Sequence, residues 1–196
     1  MRKFLLTLAI ALMTVMNVNA QTGYEDTDHE VAISFGGASN SQKIDFYEKI
    51  PTIIVGAQYK DDKHTGPISV EYFYHSNKWL GLGGIACYGE SSQNIYIGNK
   101  IDGRWKNNYL TLMPAIKLNY LRKKNFGMYS KLGVGVTLRF ENIDWGEEQN
   151  NKDTYTLFNW QASLLGIEVG NPYFRGFAEL GIGEQGIACI GVRYKF

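Results

Sequence analysis

Two cysteines, four prolines and three histidines in 196 residues remove several classes of protein at once. Two thiols cannot build the disulfide scaffold that holds small secreted domains together. Cys87 and Cys189 fall on extended segments that are not neighbours. A bridge needs Cα atoms within about 7 Å, so both are expected to remain unpaired and buried. His and Cys are scattered without metal-ligand spacing, and no metal or other cofactor is expected. Net charge is nearly absent as well, at +1. That excludes a polybasic surface, and with it nucleic acid as a partner. After residue 20 no apolar run approaches the ~20 residues of a membrane helix. What the chain has in quantity is Gly, Tyr and Phe, at 22, 13 and 10, a composition of strands and tight turns.

The first twenty residues stand apart. Arg2 and Lys3 precede an uncharged apolar run from Phe4 to Met16, and Val18-Asn19-Ala20 closes it with a small last residue. This is the layout of a secretory signal peptide, cleaved after Ala20. The run is too short for a spanning helix. Gln21 rather than Cys follows, so no lipoprotein anchor is expected. Residues 21–196 are then one domain.

Period-two alternation dominates that domain. At the end of the chain, Ala188, Ile190, Val192, Tyr194 and Phe196 oppose Cys189, Gly191, Arg193 and Lys195. Upstream, Gly176, Ala178, Leu180 and Ile182 oppose Arg175, Phe177, Glu179 and Gly181. Phe158, Trp160, Ala162 and Leu164 oppose Asn159, Gln161 and Ser163, until the pattern slips at Leu164-Leu165-Gly166, a predicted bulge. Leu132, Val134, Val136, Leu138 and Phe140 oppose Lys131, Gly133, Gly135, Thr137 and Arg139. Leu110, Leu112, Ile116 and Leu118 oppose Thr111, Ala115, Lys117 and Asn119. Segments 79–89, 68–75 and 30–37 complete eight strands.

A ninth candidate, Thr52 to Tyr59, conflicts with connection lengths. Counting back from Phe196, short turns at 170–172, 122–125 and 76–78 alternate with a hairpin at Glu184-Gln185 and long loops at 141–153, 90–107 and 39–65. That alternation requires an even strand number, so 52–59 is assigned to the first long loop. The loop 141–153 holds Glu141, Asp144, Glu147, Glu148 and Asp153 against Lys152, without the spacing of a calcium loop.

The ending Gly191-x-x-Tyr194-x-Phe196 resembles the C-terminal signal of Gram-negative outer-membrane barrels. The whole of 21–196 is similar to small barrels of the class of outer-membrane protein X and the membrane domain of outer-membrane protein A. Glu71-Tyr72-Phe73-Tyr74-His75, followed by Trp79-Leu80-Gly81-Leu82-Gly83-Gly84, is similar to Bacteroidetes barrels. The resemblance implies an eight-stranded antiparallel transmembrane β-barrel in the outer membrane, with short periplasmic turns and longer extracellular loops. Gly191, Tyr194 and Phe196 would be read by the barrel-assembly machinery. Lipid, that machinery and an extracellular ligand are the implied partners, and a monomer is expected.

Two features favour lipid on the apolar face. Gly133, Gly135, Gly181, Gly183 and Gly191 share the polar face, where glycine serves a crowded lumen but not a solvated surface. Aromatics gather at predicted strand ends, as in interfacial girdles: Tyr72, Tyr74, Trp79, Tyr109, Tyr120, Tyr129, Phe158, Trp160, Tyr173, Tyr194 and Phe196. Glu71, Lys117, Lys131, Arg139, Glu179, Arg193 and Lys195 then face a narrow interior and are expected to pair there.

Ser69, Glu71 and His75 share a face of one strand. Their spacing of about 7 Å or more is too wide for a serine and its base, so no catalytic residue is assigned. The string Gly181-x-Gly183-x-x-Gly186 spells a dinucleotide fingerprint, but no helix follows to bind pyrophosphate, and a hairpin is expected instead. A structural or surface-interaction role is therefore expected. A lipid A-modifying enzyme and a narrow pore are the alternatives.

Overall fold

The computed structural model describes residues 28–41, 58–97, 100–144 and 150–196. The predicted signal peptide, the core of the first long loop and Glu147-Glu148 lie outside them. Eight strands run in chain order: β1 (His29–Gly37), β2 (Gln58–His75), β3 (Leu80–Ile97), β4 (Lys100–Arg122), β5 (Phe126–Asp144), β6 (Asn150–Gly170), β7 (Phe174–Gly183) and β8 (Ala188–Lys195). Each pairs antiparallel with the next, and β1 pairs with β8, closing the barrel. The seam is joined at the chain ends by reciprocal backbone bonds, His29 N–H to Phe196 O at 3.1 Å and Phe196 N–H to His29 O at 2.9 Å.

The alternation read from sequence is the alternation of faces. In β7 and β8 every second residue is buried, and Leu180, Ile182, Ile190 and Val192 point outward. The expected bulge is present: pairing of β6 with β7 shifts between Ser163 and Leu165, leaving both Leu164 and Leu165 outside. The carbonyl of Leu164 is not wasted there, since Ser130 Oγ donates to it at 2.6 Å. Lumenal glycines sit where a side chain has no room. A Cβ on Gly191 would fall 2.7 Å from the Phe177 ring.

Three short connections lie at the end that holds both chain ends, and two share one device. Asn77 Oδ1 accepts from the backbone N–H groups of Trp79 and Leu80. Asn171 Oδ1 accepts likewise from Tyr173 and Phe174. Both are Asx turns, in which a short side-chain carbonyl replaces a backbone acceptor.

The opposite end departs from expectation. Residues 90–97 and 100–107, expected in a loop, are strand. Strands β3 and β4 continue, paired from Glu90↔Asn108 to Ile97↔Lys100. Residues 141–144 and 150–153 are likewise strand, paired to Asp144↔Asn150. Strand β2 starts at Gln58, so the first loop ends earlier than residue 65, and Gln58 and Tyr59 belong to β2 rather than to a loop. Most residues of these stretches are polar, so no apolar alternation marks them, yet main-chain pairing needs none. Strands β7, β8 and β1 stop much lower. The last β1–β2 pair is Phe35↔Ile68, and the last β6–β7 pair is Gln161↔Gly183. The barrel thus rises on one side into a five-stranded sheet, β2 to β6. Among the described residues, that sheet has two edges without a neighbouring strand, at 58–67 and 150–159.

Candidate functional site

The site is the barrel interior. Arg193 enters it from β8, next to the seam, completely buried. Its guanidinium meets Glu168 at 2.5 Å, Glu30 at 3.4 Å, Glu71 at 3.5 Å and Glu179 at 3.9 Å. It also donates to Tyr129 Oη at 3.1 Å and lies over the Tyr129 and Phe177 rings. Lys131 from β5 bridges Glu71 and Glu179 at 2.5 and 2.9 Å. Lys117 from β4 reaches Glu30 at 2.6 Å and rests 4.0 Å above the Tyr129 ring. Lys195 pairs with Glu168, and Arg175 meets the same carboxylate at 2.7 Å. His75 Nε2 lies 3.1 Å from Glu30. Four carboxylates are therefore interleaved among five cations, and each buried charge except Arg175, which meets Glu168 alone, has opposite neighbours on two or more strands. That arrangement offsets the several kcal/mol of desolvation that each ion incurs.

Six of the seven residues expected to pair are in this cluster: Glu71, Lys117, Lys131, Glu179, Arg193 and Lys195. Arg139 is not. It is buried toward the long-strand end, pairs with Glu141 at 3.0 Å and lies over Trp105 and Tyr155. Glu30, Glu168 and Arg175 were missed as members. Glu168 was hidden by the bulge, which inverts the phase after Leu165 and turns Gly166 and Glu168 inward. Continuing the alternation beyond the slip finds it.

Two aromatics assigned to the girdle are corrected by the same geometry. Tyr129 and Tyr109 are interior residues, 0% and 2% exposed. Tyr129 serves the network, donating to Glu179 at 2.7 Å. Of the others, Tyr194 and Phe196 stack on one another, Phe196 also stacks on His29, and Phe174 packs tilted against Tyr194.

Ser69, Glu71 and His75 are not brought together. Ser69 Oγ donates to Cys87 Sγ at 3.3 Å, His75 pairs with Glu30, and Glu71 belongs to Lys131 and Arg193. Both cysteines are free and buried. Among the described residues no group of three His, Cys, Asp or Glu is placed to hold a metal ion.

The β7–β8 hairpin closes the upper end of this interior. Gly183-Glu184-Gln185-Gly186 is a turn with positive φ at Gly183 and Gly186, 141° and 98°, and it folds inward. Gln185 Nε2 reaches down to Glu71 at 2.7 Å, while its backbone N–H donates to Gln161. Glu184 is held by Ser41 Oγ at 2.7 Å, Ser41 N–H at 3.1 Å and Asn159 Nδ2 at 2.8 Å. Burial pushes the Glu184 carboxyl above its ordinary range, and the bonds from Ser41 and Asn159 pull it only partly back. A carboxyl raised in the folded state costs stability while ionised, and that cost is relieved as pH falls through its folded pKa. Glu184→Gln is therefore expected to flatten the dependence of unfolding free energy on pH between neutrality and about pH 4. Urea titrations across that range check it, and an unchanged slope contradicts it.

An eight-stranded, closed antiparallel barrel whose charges are inside and whose leucines, isoleucines and valines are outside is the class that this fold defines. No protein-family model and no curated protein matches the chain. Among solved structures it is similar to the N-terminal β-barrel domain of Pseudomonas aeruginosa OprF, with 15% sequence identity and a TM-score of 0.45, over 88% of this chain and 100% of that one. It is also similar to Ail, the attachment invasion locus protein of Yersinia pestis. The Ail complex with the heparin analogue sucrose octasulfate gives 13% identity and a TM-score of 0.45, and a second Ail structure gives 16% and 0.44. Each covers 88% of this chain and 100% of Ail.

Proposed function

We propose that the chain is an outer-membrane barrel, exported by residues 1–20, inserted as a monomer with both ends in the periplasm, and working as a surface-contact protein rather than a pore. The observation that carries this reading is the inversion of inside and outside. Leu112, Leu132, Val134, Val136, Leu164, Leu180, Ile182 and Ile190 are each 47–68% exposed, while Glu30, Glu71, Lys117, Lys131 and Arg193 are at most 1% exposed. Water on the outer face would favour the reverse. A bilayer favours this arrangement in a closed barrel, whose spanning strands leave no sheet edge facing lipid. The aromatic cluster at Phe174, Tyr194, Phe196 and His29 lies at the level expected of an interfacial girdle. Gly191, Tyr194 and Phe196 occupy the closing seam, which supports their reading as the signal for the assembly machinery.

The contact surface is the raised sheet. Among the described residues its edges at 58–67 and 150–159 have no neighbouring strand, and an extended segment of a partner can add there as a further strand. Ladder bonds would supply affinity there. The interior ion cluster and the inward hairpin leave no room for an ion path, since eight strands enclose only enough space for side chains. In planar bilayers the purified protein is expected to give no conductance steps above baseline. Regular steps would overturn the closed-lumen reading. Found in the membrane fraction, it should also migrate differently on gels before and after boiling.

A further inference from the structure

The turn between β4 and β5 is basic and unusually well held. Arg122 ends β4, and Lys123 and Lys124 follow, both exposed; Lys78 is exposed on the neighbouring turn. No carboxylate side chain occurs in 76–79, 122–125 or 171–173. Among the described residues, Asp28 lies at the β1–β2 side of this rim, its carbonyl accepting from His75 N–H at 2.6 Å, and the β4–β5 turn is on the opposite side of the ring. The turn has no Asx device. Instead Arg175, 2% exposed and paired with Glu168, donates from inside to the backbone carbonyls of Lys123 at 2.8 Å and Lys124 at 3.0 Å. Lys123 N–H bonds Phe126 O, and Gly170 N–H bonds Asn125 O. The main chain of the turn is thus fixed by the lumenal network, and both lysine side chains are left to the outside.

Depth selects the partner. Tyr120 and Trp79 stand beside the turn, 63% and 58% exposed. Exposed Tyr and Trp at a barrel rim mark the headgroup level. Lys123 and Lys124 lie just beyond Tyr120, at the level of lipid phosphates rather than of a polymer farther into the periplasm.

We infer that the turn carrying Lys123 and Lys124 is a docking site for anionic glycerophospholipid headgroups of the periplasmic leaflet. The inference rests on the proposed orientation in the outer membrane. A phosphate with net negative charge is the ligand chemistry, met by the two ammonium groups of Lys123 and Lys124 on a turn whose backbone needs no ordering. Each cation near an anionic surface strengthens binding severalfold.

The test reconstitutes the mature protein in bilayers of equal phosphatidylcholine and phosphatidylglycerol. The protein is then released, and co-purifying lipid is counted by native mass spectrometry. The expected result is enrichment of phosphatidylglycerol by roughly tenfold, falling to parity in the Lys123→Gln/Lys124→Gln variant and at about 1 M salt. Parity in the wild type, or undiminished enrichment in the variant, overturns the site. Sedimentation with purified peptidoglycan sacculi is the competing outcome. Sedimentation lost in the variant while lipid enrichment persists would assign the turn to the cell wall instead. Failure to insert at all is seen at reconstitution, and it refutes the membrane reading rather than the site.

Discussion

Arg193→Ala is expected to lower the unfolding free energy by about 3–5 kcal/mol, the largest loss for any single lumenal substitution. Among the described residues, Arg193 is the one cation within 4 Å of all four of Glu30, Glu71, Glu168 and Glu179. Lys117 serves Glu30 and Glu168, Lys131 serves Glu71 and Glu179, and Arg175 meets Glu168. Truncating Arg193 leaves Glu71 and Glu179 sharing Lys131 alone, a local shortage of positive charge in a buried site. It also uncovers the Tyr129 and Phe177 rings. Arg193→Lys keeps the charge but loses the planar fork that reaches several carboxylates at once, so it should fall between wild type and alanine. Urea unfolding from lipid vesicles measures all three. A loss below about 1 kcal/mol for alanine would correspond to a solvated, loosely paired interior, and the lumen would then be a water path rather than a filled core.

Val134→Arg is expected to cost about 2–4 kcal/mol when the protein is folded into a bilayer. Val134 is 56% exposed on the outer face of β5, between Leu132 and Val136. In water such a surface substitution changes stability by no more than about 0.5 kcal/mol. The difference arises wholly from the solvent on that face. Thr154→Arg is the control: Thr154 is exposed, pairs with Phe140 on the rising part of the sheet, and is near the upper margin of the apolar band. Its cost should drop to about 0–1 kcal/mol. Equal small effects at both positions would place water, not lipid, around the barrel.

How much of this was legible in the sequence differs by region. Inside the apolar band each residue has one of two environments, so the alternation of Leu132, Val134 and Val136 with Lys131, Gly133 and Gly135 fixes strand, face and lumenal charge together. Above the band most residues are polar. Glu90-Ser91-Ser92-Gln93-Asn94 therefore looks like a loop although it is a paired strand, because the main-chain ladder that defines it leaves no mark on side-chain type. The bulge was visible at Leu164-Leu165, but its consequence, the inward turn of Glu168, requires carrying the inverted phase forward. Tyr129 and Tyr109 were misassigned because proximity to a strand end was weighed above face. Alternation with Ser130 and Leu110 puts both inside. The inward fold of Gln185 onto Glu71 had no local signal, since it depends on how low β7 and β8 stop relative to β2.

The arrangement of charge inside and apolar side chains outside makes one demand above others, that the fold needs lipid. The direct measurement is refolding of the mature chain from urea by dilution into phosphatidylcholine vesicles and, separately, into buffer. With vesicles, the protein is expected to gain strand content, resist added protease across the spanning region, and run on unboiled gels at a position different from the boiled sample. In buffer it should do none of these. A stable, protease-resistant β protein formed in buffer alone, with no heat-dependent shift, would contradict the account.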